Sequence, residues 1–262
     1  DFNGTYEVSD IDQNQKQHNN HNETTDALST IPSRFRRQQE SPERNHQQGQ
    51  RRRQSQSGGQ FNNYQAVPLS QGYGTHFANV WVGSGPQGPQ RKTVIVDTGS
   101  HYTAFPCTGC LHCGAPHHTD PYFTPSKSVT FHKLQCDECV AGVVCDNGEC
   151  NFEQHYTEGS SWDAIQVKDR LYLGGGEILD SVEPGDEKYA IEFMFGCQTS
   201  MTGLFVTQLA DGIMGMSSHT ATLPKQLYDR KLLEHNMFAM CYRRELGTSK
   251  RGVTAGSMTL GG

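Results

Sequence analysis

Hydrophobic and polar positions change texture at about Tyr64. Beyond it, short apolar stretches alternate with turn signals. His76-Phe77-Ala78-Asn79-Val80-Trp81-Val82 alternates as a half-buried strand does, and Gly83-Ser84-Gly85-Pro86 then turns the chain. Thr93-Val94-Ile95-Val96 is a short continuous apolar run, the pattern of a strand buried on both faces. Further strands are predicted over 152–156, 164–173 and 189–195. Helical spacing occurs once, through Leu223, Leu227 and Lys231-Leu232-Leu233, with Pro224 in a first-turn position. Many strands and one short helix, with no internal repeat, predict a mostly β fold.

The first 64 residues read differently. They contain 19 Asn and Gln but only seven Leu, Ile, Val or Phe, too few to offset the entropy of ordering the chain. They are expected to be a disordered low-complexity segment, with the globular part over 65–262. Their eight acidic and eight basic residues cancel, so the remainder carries the whole net charge of −6. That balance argues against a nucleic-acid partner bound through phosphates. Arg34, Arg36, Arg37, Arg44, Arg51, Arg52 and Arg53 cluster in the second half. An exposed segment of this kind is open to a processing protease, as a pro-segment would be, and reads equally as a solvated linker. The longest apolar runs are a few residues, far short of the ~18 of a spanning helix, so any membrane anchor would lie outside this stretch. The chain opens at Asp1 without Met or an apolar leader, so any signal peptide would lie outside this stretch.

The chemistry centres on Val94-Ile95-Val96-Asp97-Thr98-Gly99-Ser100. A carboxylate at the end of an apolar strand needs hydrogen bonds to tolerate partial burial. Gly99 lets backbone amides approach it, and Thr98 and Ser100 bring hydroxyls. Alone, an Asp opening a turn reads the same way. A second Asp-Gly pair follows in Ala210-Asp211-Gly212-Ile213-Met214-Gly215-Met216, and between them Tyr156-Thr157-Glu158-Gly159-Ser160-Ser161 sits in a hairpin-like context. Phe238–Tyr242 and Gly256-Ser257-Met258-Thr259-Leu260-Gly261-Gly262 close the chain.

This ordered set resembles the N-terminal lobe of the pepsin-like aspartic proteases. The cysteines at 107–150 look like the insert of their plasmepsin V-like and nepenthesin-like members. The resemblance implies an acid-protease fold and an aspartic endopeptidase without metal or cofactor, acting on peptide or protein substrates. Two aspartates, one per lobe, share a proton and hold a water. Their mutual repulsion splits their pKa values, the ionised one takes a proton from the water, and the protonated one donates to the peptide carbonyl. Asp97 matches the first aspartate, with Thr98, Gly99 and Ser100 supporting it. Tyr156 matches the flap tyrosine, with Glu158, Gly159 and Ser160 around the flap turn. Asp211, Gly212, Ile213 and Gly215 match the loop supporting the active-site strand, where Asp211 has a structural role. Glu158 puts negative charge at the cleft edge and suggests a preference for a basic substrate side chain, Arg above all.

The sequence departs from the family pattern in two places. No second Asp-Thr-Gly or Asp-Ser-Gly occurs, Asp180-Ser181 being followed by Val182, and the chain ends at Gly262, about where the family crosses into its second lobe. The expectation is a fragment, inactive alone, whose C-terminal lobe supplies the second Asp. The alternative is a catalytically inactive protease-like binding or inhibitor protein. The second departure is Ala104, where many members carry a Trp bonded to the flap tyrosine. Trp81 and Trp162 are the candidate replacements, with Phe105 filling part of the volume.

Nine cysteines follow residue 106: Cys107, Cys110, Cys113, Cys136, Cys139, Cys145, Cys150, Cys197 and Cys241. Cys110-x-x-Cys113 with Cys136-x-x-Cys139 approaches zinc-ribbon spacing, and His112, His117 and His118 lie near. The resemblance implies the secretory pathway (endoplasmic reticulum, extracellular or vacuolar), where thiols form disulfides. Disulfides are therefore expected, with a structural zinc as the alternative. Nine is odd, so at least one cysteine is free or pairs elsewhere; Cys197 and Cys241, outside the insert, are the candidates.

Overall fold

The computed structural model describes residues 63–140, 143–175, 187–243 and 252–262. The disorder expected over 1–64 falls, apart from Asn63 and Tyr64, outside the described residues. Those two are already tied to the globular part. The Asn63 carbonyl accepts the Glu234 N–H at 2.9 Å, and the Tyr64 carbonyl accepts the Tyr189 hydroxyl at 2.5 Å. Among the described residues no helix is long and apolar enough to cross a membrane.

The strands run in chain order as β1 (Gln65–Gln71), β2 (His76–Val82), β3 (Gln90–Asp97), β4 (Thr103–Leu111), β5 (His132–Lys133), β6 (Val144–Asp146), β7 (Glu149–His155), β8 (Ser161–Leu173), β9 (Ile191–Met201), β10 (Gly212–Gly215), β11 (Phe238–Tyr242) and β12 (Thr254–Leu260). One α-helix, α1, spans Leu223–Asp229. The lobe is mostly β, as its sequence pattern predicts. The strands join in one sheet in the order β11-β12-β1-β2-β3-β10-β4-β9-β8-β7-β6, and β8 also pairs with β2, so the sheet folds back on itself. Its interior holds Leu69, Val80, Val94, Phe105, Phe123, Leu171, Phe193, Phe195 and Met214, all buried, with α1 packing Leu223 and Leu227 against them. Each such side chain contributes roughly 1.5–3 kcal/mol by leaving water.

Four local expectations need correction. Residues 77–82 do not alternate; all six are buried, because β2 lies between β1, β3 and β8. The run 93–96 is fully buried only through Val94. Ile95 and Val96 are partly exposed, since β3 ends at the wall of a cleft. The leucine spacing through Leu233 outlasts the helix, which stops at Asp229. Lys231 takes φ +60° and the Leu232 N–H returns to the Leu227 carbonyl at 3.0 Å. Leu233 is nevertheless buried, so the spacing reports burial rather than helical backbone. The strand expected from residue 189 begins at Ile191, after a 3-10 turn over Glu187–Tyr189.

Eight of the nine cysteines pair: Cys107–Cys197, Cys110–Cys113, Cys136–Cys145 and Cys139–Cys150, with Cα separations of 5.3, 5.8, 5.4 and 5.4 Å. These fall in the ordinary disulfide range. The zinc reading gives way, because a sulfur in a disulfide is not a thiolate ligand. Cys197 is not free; β9 runs parallel to β4 and delivers it to Cys107. Cys241, exposed on β11, is the free thiol.

Candidate active site

The parallel pairing of β10 with β3 builds the site. Gly212 sits opposite Val94 and Gly215 opposite Asp97, while the other edge of β10 runs antiparallel to β4. The three strands fit only because two residues of β10 lack a side chain. A Cβ on Gly212 would lie 2.1 Å from the Ala104 carbonyl oxygen, and one on Gly215 would lie 2.4 Å from the His101 backbone. The Met216 N–H then reaches the Asp97 carbonyl at 2.7 Å, and the Ser217 N–H reaches the Ser100 carbonyl at 3.1 Å.

The turn after β3 cradles the Asp97 carboxylate. Its Oδ1 accepts the Gly99 N–H at 2.9 Å, and its Oδ2 accepts the Ser100 hydroxyl at 2.5 Å. Ser100 is buried, whereas Thr98 and Gly99 are exposed. Asp97 opens into a cleft of about 480 Å³ lined by Ile95, Val96, Ile213, Phe205, Tyr156, Glu158, Ser160 and Gln208. One wall is the β7–β8 hairpin. Its turn closes through the Tyr156 N–H to the Ser160 carbonyl (2.9 Å) and the Gly159 N–H to the Tyr156 carbonyl (3.0 Å), with Gly159 at φ +95°. The buried Ser160 hydroxyl accepts the Leu204 N–H at 2.9 Å, which fastens the turn to a 3-10 segment over Gly203–Val206. Glu158 is exposed at the cleft.

The Tyr156 ring packs edge-on to Phe205 at 5.1 Å, and its hydroxyl accepts the Trp162 indole N–H at 3.3 Å. Burial pushes the phenol up to about 12, Asp97 and Glu158 add to this, and hydrogen bonds with Trp162 and Ser100 pull the other way. Trp81 donates its N–H to the Gly174 carbonyl at 2.9 Å and takes no part in the cleft. Phe105 also lies elsewhere. Neighbours on a strand face opposite ways: Ala104 packs with Trp162 and Ile213, while Phe105 stacks on Phe195 at 4.5 Å.

Asp211 is buried and does not line the cleft. Its Oδ2 accepts the Thr93 N–H (2.7 Å) and hydroxyl (2.9 Å), and its Oδ1 accepts the Asp120 N–H (2.8 Å). Burial raises its carboxyl to about 7, the neighbouring Asp120 adds to this, and Lys92 with the Thr93 and Asp120 amides opposes it. Burial also holds the Lys92 ammonium below the usual lysine range, against the pull of Asp211 and Asp120. Arg91 closes the cluster with a bidentate pair to Asp120, at 3.0–3.2 Å.

Sequence reasoning missed three features. Lys92 and Asp120 meet Asp211 only through the long-range pairing of β10. Gln208 reaches the cleft from the segment after the 3-10 turn. His101 and His219 pack with ring centroids 4.4 Å apart, tilted by 36°, beside the Asp97 turn, and burial lowers His101, with His219 adding to that. A signal was present only for His101, which directly follows the Asp-Thr-Gly-Ser run. Among the described residues no group of three or more His, Cys, Asp or Glu is arranged to hold a metal ion.

An Asp-Thr-Gly-Ser turn on a strand that a glycine-spaced neighbour braces, under a tyrosine-bearing hairpin, defines a class of lobe. Residues 77–262 match the family described as xylanase inhibitor N-terminal. The chain belongs to that family and is an N-terminal lobe of the pepsin-like aspartic proteases. Among individual proteins it is 34% identical over 196 residues to Aspartic protease 5 of Toxoplasma gondii, covering 67% of this chain and 19% of that protein. It is 30% identical over 147 residues to Plasmepsin V of Plasmodium falciparum, covering 55% of this chain and 23% of that protein. The chain thus spans about a fifth of the length of these relatives.

Proposed function

We propose that this lobe supplies one half of an aspartic endopeptidase site. Asp97 is one of two carboxylates that hold a water, and the second comes from a further lobe of the same protein. With one proton shared between them, the ionised carboxylate removes a proton from water as it attacks the peptide carbonyl, and the protonated one donates to the carbonyl oxygen. The Gly99 N–H and the Ser100 hydroxyl hold the Asp97 carboxylate and fix its plane. Tyr156 covers the substrate, and Glu158 beside Gln208 accepts from a basic substrate side chain. Asp211, Gly212, Ile213 and Gly215 hold the Asp97 strand in place. The substrates are peptides or proteins, as the names of both relatives suggest, and four disulfides favour an oxidising secretory compartment.

The observation that carries this reading is the intact, doubly hydrogen-bonded Asp97 open to a cleft. In the complete protein, Asp97→Asn is expected to lower peptide turnover roughly 10²–10⁴-fold without changing the melting temperature. Unchanged turnover, or a complete sequence with no second catalytic Asp, would instead favour a protease-like binding or inhibitor protein. The role of Glu158 is read from a peptide library. An exposed charge pair is worth about 0.2–1 kcal/mol, so Glu158→Gln should reduce the preference for Arg about 1.4- to 5-fold. An identical cleavage profile would remove Glu158 from the specificity site.

A further inference from the structure

We propose that the Cys110–Cys113 disulfide is a redox switch on the cleft wall: a dithiol reductant opens it, loosens the segment that carries Phe205 and Gln208, and lowers turnover. This rests on reading the cleft as the peptide site. The bridge closes 3 residues at the end of β4, against 90, 9 and 11 for the others, so it removes the least freedom from the unfolded chain. It is also reached from solvent. Cys110 is half-buried beside exposed Leu111 and His112, while Cys113 is 1% exposed. Between the two cysteines His112 takes φ +57°, a left-handed conformation that a side chain disfavours and that persists only where its surroundings hold it. Exposed or strained bridges are the more readily reduced ones. Cys107–Cys197, by contrast, is buried at both ends. Cys136 and Cys145 are exposed, but no cysteine of 136–150 lines the cleft.

The chain beyond the bridge holds the wall. It leaves Cys113 through Gly114, at φ +68°, pressed so closely on its neighbour that a Cβ would lie 2.1 Å from the Val206 carbonyl oxygen. The His117 N–H returns to the Gly114 carbonyl at 2.8 Å. His118 donates from Nε2 to the Phe205 carbonyl at 2.9 Å. Thr119 donates its N–H at 3.0 Å and its hydroxyl at 2.9 Å to the Leu209 carbonyl. Both ends of segment 205–209 are thus tied to residues 114–119. Within that segment Phe205 and Gln208 line the cleft, and Phe205 packs against Tyr156. In the opening step a thiolate of the dithiol attacks the accessible Cys110 sulfur. The Cys110–Cys113 bond breaks, and Cys113 leaves as a thiolate that takes up the proton the attacking thiol lost. The second thiol of the reductant then displaces Cys110, which leaves two protein thiols and the reductant as its disulfide. Without the crosslink His112 is released from its left-handed conformation, and the 114–119 chain is a slacker anchor for the wall.

The test titrates the complete protein with dithiothreitol. Freed thiols are alkylated and mapped by mass spectrometry, amide hydrogen exchange is followed over 203–209, and turnover is measured on the same samples. Cys110 and Cys113 are expected to be alkylated at dithiol concentrations that leave Cys107–Cys197 intact. Over that range exchange in 203–209 should rise roughly 10- to 30-fold, the freedom returned by opening so short a loop. Turnover should fall roughly 2- to 10-fold, the worth of one net hydrogen bond at the wall, and return on reoxidation. Reduction of Cys110–Cys113 only together with Cys107–Cys197 overturns the proposal, as does selective reduction that leaves exchange or turnover unchanged. Cys110→Ala with Cys113→Ala should show the raised exchange from the outset and a turnover indifferent to dithiol over this range. A turnover that still falls in this variant assigns the effect to another bridge and overturns the proposal; if the variant does not fold, the wild-type titration decides alone. If Asp97→Asn leaves turnover intact, the hydrolytic reading fails, and the exchange measurement still decides whether the bridge holds the wall.

Discussion

Asp97 and Asp211 are two carboxylates of one lobe with opposite surroundings. Asp97 faces a cleft and accepts two donors, whereas Asp211 is buried and accepts three. Burial, which favours the neutral form, dominates at Asp211 and raises its carboxyl from 3.8 to about 7. The native state then holds more protons than the unfolded state between about pH 4 and pH 7. Stability contributed by Asp211 is therefore fully present below about pH 4 and is lost as pH rises through about 7. At 1.36 kcal/mol per unit, the swing is at most roughly 4 kcal/mol. Asp211→Asn cannot titrate, and its amide would turn an N–H₂ toward donors that now meet oxygens, so it should be the less stable protein. Thermal melts of both from pH 4 to 8 are expected to show the gap narrowing as pH rises. A gap that stays constant or widens would mean that the three donors and Lys92 outweigh burial.

Between residues and lobe stands β10, four residues wedged between β3 and β4. Gly215→Ala would push a methyl group into the His101 backbone, and backbone cannot rotate aside as a side chain can. The expected cost is about 1–3 kcal/mol of stability. It should come with a loss of turnover in the complete protein, because the Met216 contact to Asp97 and the Ser217 contact to Ser100 hang on the same strand. An unchanged melting temperature would show that β10 can slide. This element also marks where sequence reading stops. The Asp97 turn and the Tyr156 hairpin are local, written in runs of six or seven residues whose order identifies the family, and their surroundings were legible. The Asp211-Gly212 loop was legible as a motif, but its contacts with Lys92 and Asp120 depend on a parallel pairing more than 100 residues away, which no local pattern encodes. Phe105 went to the wrong face for a related reason. The size of its neighbour at 104 was legible, but the side of the sheet each residue faces depends on register with β9 and β10.

At the scale of the lobe, the disulfides divide by span. Cys107–Cys197 closes 90 residues and ties β4 to β9 through the middle of the sheet; the other three close 3, 9 and 11 residues within the insert. A crosslink that removes more freedom from the unfolded chain stabilises more. On chain-entropy grounds the long bridge is worth about 4–5 kcal/mol and the Cys110–Cys113 bridge about 2. The two also differ in surroundings. Cys107 and Cys197 lie in the main core among Phe105, Phe123 and Phe195, whereas Cys110 and Cys113 belong to the smaller cluster around Trp162 and Tyr156. Replacing each pair by alanine should therefore give different losses. Without Cys107–Cys197 the whole lobe is expected to melt at a much lower temperature, with its cooperative transition shifted as one. Without Cys110–Cys113 the midpoint should move less, with the change concentrated near Phe205 and the cleft, because the chain after Cys113 bonds to the Phe205 and Leu209 carbonyls through His118 and Thr119. Urea titrations of the two double variants, read by tryptophan fluorescence, separate these outcomes. Equal shifts, or a larger loss for the short bridge, would mean that native-state packing around the sulfurs, rather than the span of chain they close, sets the stability of this lobe.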